Sequence, residues 1–523
     1  MRTSGILMHI SSLPSPYGIG TFGKETYRFA DFLKKAGQTY WQILPICPTA
    51  FGDSPYQSFS AYALNPYFID LDMLAQSGLL IPSEYAGMNW GDRPNSVDYD
   101  LIYKNRSVVL QKAYERFKSN IPADYDRFCE DSAWWLDDFA LYMALKNAFS
   151  GKAWSEWDEP LRMRDEDALH LARQTLADDI GFYKMQQYLC HSQWFALKKY
   201  VNSLGVKIIG DMPIYVATDS ADVWSQPSQF DLDEKGHPVE VAGCPPDAFS
   251  EDGQLWGNPL YNWAEMEKNG YEWWCRRISH SLKIYDVLRI DHFRGFESYY
   301  SIPAGDKTAK NGVWRKGPGI KLFDRVKQLY GELPIIAEDL GFLTDEVREM
   351  LKLTGFPGMK ILQFAFDSRE ESDYLPHTYS HNCVVYTGTH DNDTIIGWTH
   401  SADPADVEYA RRYLRINSAE GFNWGMIKSA WASPADTAIM MMQDFMGLDS
   451  DARMNEPSTV GGNWRWRIDG GCINDWLAQI IYENTKIYCR LPVDPTAKKS
   501  KNSSDTDEKT ATAKRIKSNK NDK

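Results

Sequence analysis

Val287-Leu288-Arg289-Ile290-Asp291 reads as a buried β-strand that empties into a carboxylate at its C-terminal edge. The pattern returns in Val206-Lys207-Ile208-Ile209-Gly210-Asp211, Pro334-Ile335-Ile336-Ala337-Glu338 and Val384-Val385-Tyr386-Thr387-Gly388-Thr389-His390-Asp391. Asp and Glu are poor strand residues and costly to bury, so four of them where strands give way to loops point to a place that needs negative charge. Apolar runs at 5–10, 40–46, 360–366 and 439–444 bring the set to eight. They are nearly continuous and not alternating, as parallel strands covered on both faces are. Helical segments lie between several of them, at 24–36, 273–282, 320–330, 345–353 and 406–416. The expected fold class is therefore α/β, a (β/α)8 TIM barrel, whose working residues come from the C-terminal ends of its strands.

Two connections are too long for a simple βα unit. The first, about 47–203, carries helix signals at 107–117, 134–147 and 165–177. The second, about 213–285, carries Gly243-Cys244-Pro245-Pro246-Asp247-Ala248-Phe249 and Gln254-Leu255-Trp256-Gly257-Asn258-Pro259. Both leave from the catalytic face, so large insertions, helical in character, are expected after strands two and three. Residues 1–490 are then one catalytic barrel. The tail 498–523, with nine Lys or Arg against four Asp or Glu and almost no apolar content, is expected to be disordered.

The net charge of −14 argues against nucleic acid or an anionic membrane as the main partner. A neutral ligand fits better, and 19 Trp with 29 Tyr exceed what a core requires and suit stacking on sugar faces. The eight cysteines lack a CxxC pair or zinc-ligand spacing, and no metal or other cofactor is expected. Without a convincing signal peptide or a transmembrane run, the expected location is the cytoplasm.

Two carboxyl groups of unequal pKa are the minimum equipment for breaking a glycosidic bond with retention, when they stand about 5–5.5 Å apart. Asp291 and Glu338 end strands four and five, neighbours in a barrel. Arg289 shares a strand face with Asp291 and is expected to lower its pKa, holding it ionised for attack. Glu338 follows Ile335-Ile336-Ala337, an apolar setting that should raise it toward a general acid's range. Asp391 would bind sugar hydroxyls, and neutral His292 and His390 would hydrogen-bond them. Singly, each acid could equally be a structural ion pair or a helix cap, and Asp391 in Thr389-His390-Asp391-Asn392-Asp393-Thr394 has the look of a cap.

Asp211-Met212-Pro213, Arg289-Ile290-Asp291-His292-Phe293-Arg294-Gly295, Ala337-Glu338-Asp339-Leu340-Gly341 and Thr389-His390-Asp391-Asn392 resemble the four signature regions of the α-amylase clan. Ser54-Pro55-Tyr56-Gln57-Ser58, Asn65-Pro66-Tyr67, Gly257-Asn258-Pro259-Leu260-Tyr261 and Gly462-Asn463-Trp464-Arg465-Trp466-Arg467 narrow the resemblance to the 4-α-glucanotransferases of glycoside hydrolase family 77. It covers roughly residues 2–490. It implies a nucleophile at Asp291, an acid/base at Glu338 and a transition-state stabiliser at Asp391. It also implies a donor sugar site lined by Ser54, Tyr56, Asp211, Arg289 and His390, with Gln254, Trp256 and Asn463 touching the glucan; Trp256 alone would read equally as a packing residue. Ala248 and Ser458 depart from the family's pattern, which often has an aromatic and a glycine there. The implied activity is transfer of an α-1,4-glucan segment between maltooligosaccharides through a covalent glucosyl ester. An amylase-like hydrolase and a silent glucan-binding scaffold are the alternatives.

Overall fold

The computed structural model describes residues 2–246, 250–341 and 343–492. Ala248 and the tail 498–523 lie outside the described residues. Twelve strands follow in chain order: β1 Thr3–Leu7, β2 Tyr40–Gln42, β3 Lys207–Met212, β4 Glu240–Cys244, β5 Gln254–Pro259, β6 Val287–Ile290, β7 Ser298–Pro303, β8 Val313–Lys316, β9 Ile335–Ala337, β10 Gly358–Ile361, β11 Cys383–Tyr386 and β12 Thr437–Met441. Eight of them pair in parallel in the order β10-β11-β12-β1-β2-β3-β6-β9. The cylinder closes where the Ala337 N–H, at the end of β9, donates to the Pro357 carbonyl just before β10 at 2.9 Å. This is a (β/α)8 barrel, and all eight expected strands are in it.

Several strands stop earlier than their apolar runs. β1 ends at Leu7, after which Ile10–Ser12 forms a 3-10 turn, and β2 ends at Gln42. The residues beyond remain buried. An apolar run records burial, and it continues past the point where the regular ladder stops, although Met8 and Ile43 still donate to the neighbouring strands.

The helices packed around the barrel follow from periodic apolar faces. Lys24–Lys35 buries Phe29, Ala30, Phe32 and Leu33 on one side, and Ile320–Tyr330 buries Leu322, Phe323 and Val326. Asp345–Thr354 has explicit ends: the Thr344 hydroxyl accepts the Val347 N–H, and Gly355 stops the helix in the left-handed region at φ 72°. The connection from β10 to β11 contains only 3-10 turns, Leu362–Phe364 and Pro376–Thr378, among the described residues.

The insertion after β2 is helical as expected, with Tyr99–Ser119, Tyr125–Ala148 and Glu166–Thr175. The 27-residue helix Ala177–Ser203, which leads back to β3, was not legible because it is buried on several sides and carries no single apolar stripe. The insertion after β3 differs from a helical one. Besides the helices Ala221–Ser225, Trp263–Lys268 and Glu272–Ile284 it contributes β4 and β5 to an antiparallel sheet, β5-β4-β7-β8, completed by strands that follow β6. Pairing of β4 with β7 joins residues some sixty positions apart, such as Val241 with Ile302, which no local pattern announces. Among the described residues, no helix is long and apolar enough to cross a membrane.

Candidate active site

Register brings the acids together. Arg289 pairs with Asp211 across β3 and β6, and Ile290 with Ala337 across β6 and β9, so Asp291 and Glu338 follow one another at the rim of adjacent strands. The Asp291 N–H donates to the Met212 carbonyl at 3.0 Å and the Glu338 N–H to the Ile290 carbonyl at 3.0 Å, which carries the ladder up to the acids themselves.

Arg289 is the hub. Its Nη1 donates to both oxygens of Asp211 at 2.7 Å and to Asp291 Oδ1 at 3.1 Å. The Tyr56 hydroxyl donates to Asp211 Oδ2 at 2.8 Å and lies 3.3 Å from His390 Nδ1. The Tyr56 and His390 rings stack at 4.8 Å, with Trp464 against both. Asp211 has 0% of its side-chain surface exposed and Arg289 4%, whereas Asp291 keeps 28% and Asp391 47%. Asp211 is thus enclosed, and its carboxylate holds Arg289 and Tyr56 in place.

Glu338 is gripped by backbone. The His292 N–H donates to its Oε2 and the Leu340 N–H to its Oε1, both at 2.7 Å. His292 adopts a left-handed backbone, φ 48°, in the turn that aims its N–H at Glu338. These amides have no side-chain signature and were invisible in the sequence.

Burial raises the Glu338 carboxyl and the neighbouring Asp291 charge adds to it, against Arg289 and the two amides, up to about 7. The expectation for Asp291 is overturned in direction. Burial pushes it up to about 6, and Arg289, already shared with Asp211, does not reverse that. The order survives: of the two, Asp291 gives up its proton first. Asp391 goes the other way. Burial raises it, but His390, the Asn455 amide and Arg289 together bring it down to about 2. For His390, burial lowers the pKa but the Asp391 charge and hydrogen bond outweigh it, and the net direction is up. His292 is neutral as expected, since burial lowers it to about 3.

Ser54 stands behind Tyr56, its hydroxyl accepting the Tyr56 N–H at 3.2 Å. Trp256 meets the His292 ring edge-on at 4.9 Å, and its indole N–H donates to Gln254 Oε1 at 3.0 Å, so this pair borders the acids on one side. Asn463 is not brought into the network: its side chain accepts the Glu456 N–H at 3.1 Å and donates to Thr459 at 3.0 Å, closing a loop on itself. Asn455 and Arg453, which grip Asp391 at the Oδ1 and the carbonyl, were not singled out from the sequence, where they look like solvated loop residues. Among the described residues no group of three or more His, Cys, Asp or Glu is arranged to hold a metal ion.

The model of glycoside hydrolase family 77, described as 4-alpha-glucanotransferase, matches residues 8–473. The chain belongs to the 4-alpha-glucanotransferase family. It is 52% identical over 485 residues to the 4-alpha-glucanotransferase of Clostridium butyricum, covering 92% of this chain and all of that one. The Thermus thermophilus 4-alpha-glucanotransferase is 48% identical over 478 residues, 89% of this chain and 95% of its own. Among solved structures, an amylomaltase from Streptococcus agalactiae in complex with acarbose superposes with a TM-score of 0.92 at 44% identity, over 94% of this chain and all of that one. The chain is thus a 4-alpha-glucanotransferase, a glucan-transferring enzyme of the glycoside hydrolase type that acts on α-1,4-glucans.

Proposed function

We propose that this enzyme transfers segments between maltooligosaccharides with Asp291 as nucleophile, Glu338 as acid/base and Asp391 as transition-state stabiliser. The observation that carries this is the pairing of two carboxyl groups of unequal pKa at the ends of adjacent strands, one on the Arg289 guanidinium and the other on two backbone amides. In the first step an Asp291 oxygen bonds to the anomeric carbon as the bond from that carbon to the bridging oxygen breaks, and the Glu338 proton goes to that oxygen. A shortened glucan or glucose leaves. In the second step the 4-hydroxyl of an acceptor gives its proton to Glu338 and its oxygen bonds to the anomeric carbon, as the ester to Asp291 breaks. Two inversions give retention.

Asp391, ionised at any working pH and 47% open to the cleft, is suited to grip sugar hydroxyls as positive charge develops. Tyr56 and His390 form the floor beside it, with Ser54 supporting Tyr56. Trp256 and Gln254 flank the acids from the inserted sheet and serve to exclude water while the ester waits for an acceptor. Asn463 acts through its loop. We treat residues 1–490 as one catalytic unit whose segments 47–203 and 213–285 cover its mouth. Seven unbridged thiols, at Cys47, Cys129, Cys190, Cys275, Cys383, Cys472 and Cys489, favour the cytoplasm, and the charge of −14 favours neutral glucans over nucleic acid.

A trapping experiment tests the assignment. Glu338→Gln, given an α-maltosyl fluoride, should carry a maltosyl group on the peptide containing Asp291, seen by mass spectrometry. An adduct on another residue would overturn it. With maltotriose, the wild type should form longer oligomers while the number of reducing ends stays constant.

A further inference from the structure

Asp391 has both carboxylate oxygens engaged. Oδ2 lies 3.3 Å from His390 Nε2, and Oδ1 accepts from the Asn455 side-chain amide at 2.7 Å. Asn455 comes from 64 positions further along the chain, in the loop that follows β12. It is fastened there. Its N–H donates to the His390 carbonyl at 3.0 Å. Arg453 spans the join, with Nε on the Asn455 carbonyl at 2.8 Å and Nη2 on the Asp391 carbonyl at 2.7 Å. The loop stem is shut by the Trp464 N–H on the Met454 carbonyl at 2.6 Å, and the Trp464 ring lies against Tyr56 and His390.

A carboxylate only accepts, so the Asn455 atom facing Asp391 is its NH2. Hydrogen bonds to an ionised acceptor are roughly twice as strong as neutral ones. With nearly half its side chain open to the cleft, Asp391 is not oriented by packing; the two partners on its two oxygens set its plane. A group that must meet a sugar hydroxyl in the transition state loses much of its effect when misplaced by an ångström.

We propose that Asn455 is a positioning residue for glucan transfer, holding the Asp391 carboxylate in the orientation from which it grips the reacting sugar, with Arg453 bracing Asn455 in place. This rests on the assignment of Asp391 as transition-state stabiliser. Because that grip strengthens only as charge develops, loss of Asn455 lowers kcat far more than it changes KM.

The test compares Asn455→Ala and the isosteric Asn455→Asp with wild type on maltotriose, and repeats Asn455→Ala in an Asp391→Asn background with an α-maltosyl fluoride donor to keep turnover measurable. Asn455→Ala should lower kcat about 10- to 100-fold with KM within about threefold. Asn455→Asp keeps the shape, sets a second carboxylate against Asp391 and should lose at least as much. In the Asp391→Asn background Asn455→Ala should cost less than about twofold, since the group it serves is gone. Unchanged kcat in both single variants, a rise in KM alone, or a loss that multiplies undiminished onto Asp391→Asn would overturn the proposal. Wild-type kcat in Asp391→Asn alone would instead overturn the assignment of Asp391, and the proposal with it.

Discussion

Arg289 serves two carboxylates with one nitrogen, and the imbalance is measurable. Replacing it by Met fills much of the space but leaves Asp211, wholly enclosed, with an unmatched charge. Breaking a buried pair in this way costs about 3–5 kcal/mol. Urea denaturation of Arg289→Met should show a loss of that size, and a loss under about 1 kcal/mol would mean that the Arg289–Asp211 contact does not stabilise the fold. The proposed nucleophile and acid/base make a second prediction. In that mechanism transfer requires Asp291 ionised and Glu338 protonated, so kcat/KM should rise with pH through about 6 and fall through about 7, a narrow bell. With an α-glucosyl fluoride donor, which needs no proton, Glu338→Gln should lose the upper limb alone. The sequence made it legible that Asp291 and Glu338 end neighbouring strands and that Glu338 is raised, because strand-end carboxylates and apolar neighbours are local features. It did not reveal that burial outweighs Arg289 at Asp291, since that depends on how the insertions roof the site.

At the scale of elements, Asp444 shows the limit of the strand-end pattern. It ends the last apolar run but lies past β12 in the helical turn Met442–Phe445, and it accepts the Thr387 hydroxyl at 2.6 Å and the Ile395 N–H at 2.9 Å, tying the end of β11 to the helix Ile395–Ser401. Its role is that of a buried cap. Burial raises it to about 7 from 3.8. A carboxyl raised in the folded state binds its proton more tightly there, so its contribution to stability is full at low pH and is lost as pH climbs toward 7. Asp444→Asn removes that dependence. Relative to wild type, the variant should gain melting temperature between about pH 5 and pH 8, and a constant difference would refute the shift. Gly210, in β3, offers a test of packing. A Cβ there would lie 2.1 Å from the Tyr285 ring, which is rigid, so Gly210→Ala should destabilise by about 1–3 kcal/mol in thermal or urea unfolding.

For the whole molecule, buried groups of opposite kind set the response to acid. Asp222, Asp291, Glu338 and Asp444 are raised by burial and favour low pH, whereas His9, His191, His280 and His292 are lowered by burial to about 3 or 4 and favour high pH. Between about pH 5 and 6.5 these oppose each other, so the melting temperature should stay nearly level there and fall below about pH 4, where the histidines and the carboxyls lowered by their partners, Asp391 among them, both lose their contribution. A steady climb across the middle range would contradict this. Short buried strands with acids at their ends, separated by amphipathic helices, determined the barrel, because period and burial are written locally. They also determined that Asp211, Asp291 and Glu338 come together at one rim of the barrel. Only the tertiary structure decided that Asp211 is enclosed, that backbone amides hold Glu338, that an inserted hairpin joins strands from beyond β6, and that Asn455 reaches Asp391. Apart from the local Leu340 amide on Glu338, each of these is a contact between distant segments, and its partner's orientation exists only once the cylinder has closed.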